Sequence, residues 1–188
     1  MTATGLLALG VAVLLLNGAP ASGSRVAERP PRFEGVAGPI DERTRERMTG
    51  VSWRRGCPVG LGELSLLRVS HWGFDGRVHR GRLVVHHEEA GPMLRTMRTL
   101  YRLRFPIRQM RLVDAYGADD RQSMAADNTS AFNCRFVSGR PGVWSQHAYG
   151  RAIDLNPVEN PYVGCGQSRD PTARRYRDRS PHRRGMVT

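Results

Sequence analysis

Lysine is absent from the 188 residues, so all 29 basic side chains are arginine. Set against 17 acidic residues they leave a net charge of +12. That charge suits an anionic partner, but a basic set built wholly of arginine equally reflects compositional bias, so charge alone names no function. Cysteine is scarce, with Cys57, Cys134 and Cys165 and no C-x-x-C pair, which gives no support to a structural zinc knuckle. No apolar run approaches the roughly 20 residues of a membrane-spanning helix. With no internal repeat either, collagen, coiled coil and a polytopic membrane protein are excluded. Glycine and proline are plentiful instead, 21 and 12, and predict many loops around one packed domain.

The longest apolar run, Gly5 to Leu16, has the length of a signal-peptide core, and Ala19-Pro20-Ala21 follows it as a small-residue cleavage pattern. Residues 1–21 are therefore expected to be a signal peptide, with an N-terminal anchor as the competing reading. The protein is then secreted or held in the cell envelope, touching membrane only through this segment. In that compartment three cysteines allow one disulfide. Cys57 with Cys134 is the preferred pair, because both lie in the densely patterned body and Cys165 lies beside a glycine-rich stretch.

Residues 22–38 read as a linker by composition, residues 39–168 as the domain, and residues 169–188 as a basic tail. Within the domain, Pro39-Ile40-Asp41-Glu42 opens a short helix that Gly50 ends. Strands are predicted at Leu64–Val69, Arg82–His86, Ile107–Val113 and Gly150–Leu155. A helix from Glu88 to Arg104 carries Leu94, Met97, Leu100 and Tyr101 on one face and stops before Pro106. The stretch from Gly117 to Arg140 reads as irregular. The class is α+β, with a small, mostly antiparallel sheet and flanking helices.

The stretch that carries chemistry is Ser145-Gln146-His147-Ala148-Tyr149-Gly150-Arg151-Ala152-Ile153-Asp154. Gly150 permits a turn that folds His147 back toward Asp154. Alternation along the following strand puts Ala152 and Asp154 on one side and Ile153 and Leu155 on the core side. Imidazole nitrogen and carboxylate oxygen are both zinc ligands, and the small Ala152 leaves room beside them.

From Trp144 through Asp154, then Asn156-Pro157, and upstream through Asp119 to Arg135, the sequence resembles the zinc peptidases of the VanY-like D-alanyl-D-alanine carboxypeptidase and L-alanyl-D-glutamate endopeptidase family. The resemblance spans roughly Trp53 to Arg184. It implies a Hedgehog/DD-peptidase-like α+β fold, one Zn2+, and hydrolysis of peptidoglycan stem peptides. By position, His147 and Asp154 match two zinc ligands. Asn133 or Arg135 occupies the region that holds the substrate carbonyl or oxyanion. Arg135 is preferred as the catalytic group, since a guanidinium stabilises a tetrahedral intermediate better than an amide. The family pattern continues with a late D-x-x-H or E-x-x-H segment that supplies the general base and third ligand. It has no counterpart here, so the chain reads as a family member truncated at its C-terminus and lacking part of its catalytic apparatus. Asp178 and His182 are the late acid and imidazole spaced at i, i+4.

Other clusters have plainer readings. His86-His87-Glu88-Glu89 reads as a strand end followed by an acidic first helical turn, because adjacent strand side chains point to opposite faces. His71 to Gly76 reads as a hairpin turn, Asp119-Asp120 as an incomplete calcium fragment, and Met93, Met97 and Met110 as core. The tail holds seven arginines against two aspartates and reads as a solvated end. Tyr176 is its one aromatic, so no base-stacking platform is indicated and nucleic acid is not an expected partner. A non-catalytic binder of peptidoglycan or anionic wall polymer is the alternative function, and a monomer is expected.

Overall fold

The computed structural model of the protein describes Met1 and residues 31–163 and 171–187. The leader and Cys165 lie outside the described residues. The chain divides into a unit Met1–Pro30 and a unit Pro31–Thr188, and the second carries everything that follows.

Its centre is a three-stranded antiparallel sheet in sequence order: β1 (Gly35–Pro39), β2 (Leu64–Trp72) and β3 (Val78–His86). The register pairs Leu66 with Gly38 on one side and Val84 on the other. Strand alternation sends Leu64, Leu66 and Val84 into one apolar cluster with Ile40, Met48, Val59 and Phe132. Leu67, Val69, Leu83 and Val85 enter a second cluster on the opposite face, with Met97, Ile107 and Met110. A sheet covered on both faces explains why Leu64-Ser65-Leu66-Leu67 shows no clean apolar–polar alternation.

The short helix α1 (Glu42–Met48) is capped by Asp41, whose carboxylate accepts the Thr44 N–H at 2.8 Å. Helix α2 (His87–Arg102) follows β3 directly and buries Ala90, Met97 and Tyr101. The β2–β3 turn is the hairpin expected at His71 to Gly76, with Trp72 paired to Val78. Trp72 donates through Nε1 to the Tyr101 carbonyl at 3.0 Å, tying the hairpin to α2. A disulfide joins Cys57 to Cys134 across 77 residues, and Cys134 sits in the first cluster.

Several boundaries differ from the sequence expectation. Residues 35–38, read as linker by composition, belong to β1, because glycine and alanine still pair through their backbones. The strand expected over Ile107–Val113 reduces to β4 (Gln109–Met110), paired in parallel with β5 (Asn128–Thr129). Val113–Tyr116 instead winds into a 3-10 turn ended by left-handed Gly117. The stretch expected to be irregular contains α3 (Asp120–Ala125), β5, and the strand pair β6 (Phe136–Val137) and β7 (Arg140–Trp144). Gly150–Leu155 is not a strand. Left-handed backbone at Gly150 and Asn156 closes both ends, and one antiparallel bridge, Ser130 to Asp154, is all that forms.

The basic tail is packed, not solvated. Ala173, Tyr176 and Met186 are buried, and the Gly185 carbonyl accepts from both Asn156 and Asn160. Arg184 donates to the Phe74 carbonyl at 2.9 Å. Three small or apolar anchors suffice because the buried amides of the Asn156 region need the tail's carbonyls as partners.

Candidate metal and substrate site

Two extended segments build the site. Ser130 and Asp154 exchange backbone hydrogen bonds of 3.1 and 2.8 Å, and the Asn133 N–H donates to the His147 carbonyl at 3.1 Å. Between these rungs Gln146–Tyr149 forms a 3-10 turn capped by Ser145, and Gly150 ends it with φ +68°. A Cβ on Gly150 would lie 2.4 Å from the His86 nitrogen, so glycine is required there both for its backbone angle and for the close passage of β3.

This turn aims His147 at Asp154. The side chains approach to 3.4 Å between Nε2 and Oδ2. On the other side of the ring, Nδ1 lies 2.5 Å from the Ala131 carbonyl, which draws the proton to Nδ1 and leaves the Nε2 lone pair facing the carboxylate. Burial pushes the His147 pKa down, but the Asp154 carboxylate and the Ala131 carbonyl outweigh it, and the net shift is upward. Zinc–ligand bonds of about 2.0–2.2 Å at a tetrahedral angle set donor atoms roughly 3.3–3.6 Å apart. The pair therefore fits two corners of a zinc site. Among the described residues no third His, Cys, Asp or Glu donor joins them. Asp178 and His182 do not. Asp178 accepts the Ser180 N–H at 2.9 Å, and His182 Nε2 contacts the Met186 carbonyl at 3.1 Å.

Arg135 reaches the same neighbourhood, and its charge is felt at His147. Its Nη2 holds Asp120 at 2.8 Å, and its buried Nε has no partner. Asn133 is buried and spends its amide on the Ala118 carbonyl at 3.2 Å, which leaves Arg135 the more available of the two. Asp119 caps α3 and Asp120 pairs with Arg135, so neither is part of an oxygen cage.

Sequence reasoning misses the residues that support this site. Asn156 is fully buried, accepts from Arg108 N–H at 3.1 Å and donates to the Pro106 carbonyl at 2.8 Å. It thereby fixes the exit from Asp154. Glu159 and Asp127 both face Arg108, each at 3.4 Å, and a Glu159 oxygen is buried without a partner. Burial and the neighbouring Asp127 push the Glu159 pKa up to about 7. In the sequence Asn156 stands within the stretch that carries the resemblance but has no role assigned, and Glu159 carries no signal of its own.

The cluster His86, His87, Glu88 also departs from expectation. It is indeed a strand end and a first helical turn. Yet the switch from strand to helix at that point puts both rings on one side, with centroids 4.4 Å apart.

Residues 138–186 match the sequence model of a peptidase family described as D-alanyl-D-alanine carboxypeptidase. The match contains His147, Asp154, Asn156, Glu159 and most of the packed tail, and it supports an M15-type peptidase relationship over that stretch. No curated protein and no solved structure matches the chain.

Proposed function

We propose that this protein is a zinc-dependent peptidase, by descent and by the design of its site, acting on peptidoglycan stem peptides after export to the cell envelope. The observation that carries this is the His147–Asp154 pair, held at ligand separation with the histidine tautomer set by Ala131, inside the stretch that matches the carboxypeptidase family. His147 and Asp154 would hold the metal, and zinc bound there would supply Lewis acidity toward a scissile carbonyl. Arg135, steadied by Asp120, offers guanidinium donors to an oxygen that gains negative charge. The Cys57–Cys134 disulfide supports an oxidising compartment, and the arginine-rich surface suits an anionic wall.

The absence of a third donor beside the pair among the described residues favours a second reading, a non-catalytic binder of peptidoglycan or anionic wall polymer. One experiment separates the two. Purified protein, with and without added Zn2+, is incubated with synthetic stem peptides carrying D-Ala–D-Ala and L-Ala–D-Glu bonds, and products are resolved by mass spectrometry. Zinc-dependent cleavage that His147→Ala abolishes supports the peptidase. Retention on insoluble peptidoglycan with no cleavage at any zinc concentration supports the binder.

A further inference from the structure

We infer that the junction of β3 and α2 is a second transition-metal site, formed by His86, His87 and Glu88 and separate from the His147–Asp154 pair. One ligand atom from each of the three lies within 4.8 Å of the others. His86 Nδ1 and Glu88 Oε2 are 3.5 Å apart, the separation of two donors on a single tetrahedral centre.

The second nitrogen of His87 is prepared for such a role. Its Nδ1 lies 3.0 Å from the Glu63 carbonyl, which accepts the N–H on that side and leaves the Nε2 lone pair for a ligand. His86 is held differently. Its backbone N–H donates to the Gly150 carbonyl at 3.0 Å, and its ring is buried. The contact its Nδ1 makes as a helix cap, with the Glu88 N–H, is 3.4 Å, longer than an ordinary hydrogen bond. Histidine is also not among the favoured capping residues. A buried imidazole with a poorly used lone pair beside a carboxylate is better explained by a ligand than by a cap.

The donor set decides the ion class. Two imidazoles and one carboxylate suit Zn2+, Co2+ or Ni2+, whereas Ca2+ and Mg2+ prefer all-oxygen shells. Glu88 offsets the unfavourable helix N-terminus for a cation. Its present counter-charge is Arg151, with Nη2 at 3.4 Å, and an incoming metal would take over that role. Because Arg151 and Gly150 belong to the turn that carries His147, occupancy here bears on the first site.

The test titrates untagged, metal-free full-length protein with Co2+, followed by visible absorption, and with Zn2+ by equilibrium dialysis. His87 and Glu88 are exposed, so His87→Ala and Glu88→Gln leave the fold intact, which circular dichroism verifies. Each should remove about one equivalent of metal, or weaken it at least tenfold, while His147→Ala retains that equivalent. Wild-type binding unchanged by both His87→Ala and Glu88→Gln overturns the inference. So does loss of all metal on His147→Ala, or no binding by the wild type. The proposal stands if the His147 variant alone changes nothing, in which case the first site's metal role is what fails.

Discussion

His147 has two jobs for one ring. The Ala131 carbonyl accepts its Nδ1–H and the Asp154 carboxylate faces its Nε2, so partners on both nitrogens fix the ring. His147→Ala should lower zinc affinity at the first site by at least ten- to a hundredfold, the range seen when even indirect partners of a ligand are removed. Dialysis with the His87→Ala background isolates that site. Arg135→Ala should leave zinc affinity unchanged and lower kcat by about 10²–10³-fold, as for loss of an oxyanion donor, with Arg135→Lys recovering part of it. No loss of kcat in Arg135→Ala would overturn the oxyanion role. Glu159 predicts a pH effect of definite sign. Its folded pKa near 7 exceeds the ordinary 4.5, so from pH 4.5 to 7 the native state keeps a proton that the unfolded chain has released. Stability from this group is full below about 4.5 and is lost as pH rises through 7, on the order of 3 kcal/mol. Glu159→Gln keeps the shape and should flatten that slope when urea unfolding is compared at pH 5 and pH 8. Parallel curves for the two proteins would contradict it.

At the scale of elements, β2, β3, α1 and α2 were legible because each has a local signature strong enough to stand alone. Asp41 announces a cap, Gly50 and Phe105-Pro106 announce stops, and Met97 and Tyr101 mark a helical face. The element that carries the chemistry was less legible. Apolar–polar alternation over Ala152 to Leu155 correctly put Ile153 and Leu155 against the core, but alternation does not require a strand. What the chain forms is a short extended run between two left-handed residues, with one bridge to Ser130. The motif glycine is where this element meets β3. Gly150→Ala should cost about 1–2 kcal/mol for the left-handed angle alone, and more for the contact with the His86 nitrogen. Thermal unfolding and cobalt titration of this variant should both respond, since the same turn positions His147 and abuts His86. A variant as stable as the wild type would mean that the turn relaxes without loss.

For the whole molecule, two long-range ties matter most. The disulfide between Cys57 and Cys134 closes a long loop, and Cys57→Ser with Cys134→Ser should destabilise by about 2–5 kcal/mol, measured by denaturant unfolding. The tail is the second tie. Met186 is 2% exposed, so Met186→Ala should cost about 2–4 kcal/mol, where a solvated tail would give a change within about half a kcal/mol. Cys57 with Cys134 was a preference that only the fold, bringing together residues 77 apart, could settle. The amino-acid order alone indicated the α+β class, the mostly antiparallel sheet and the turn that brings His147 back toward Asp154. Those features depend on periodicity, turn chemistry and residue type, which act over a few positions. Only the tertiary structure decided that Asp120 holds Arg135, that Asn156 and Asn160 anchor the tail, and that His86, His87 and Glu88 converge. Those partners lie up to dozens of residues apart, or at a change of backbone conformation, and their interactions exist only once burial has removed water as the competing partner.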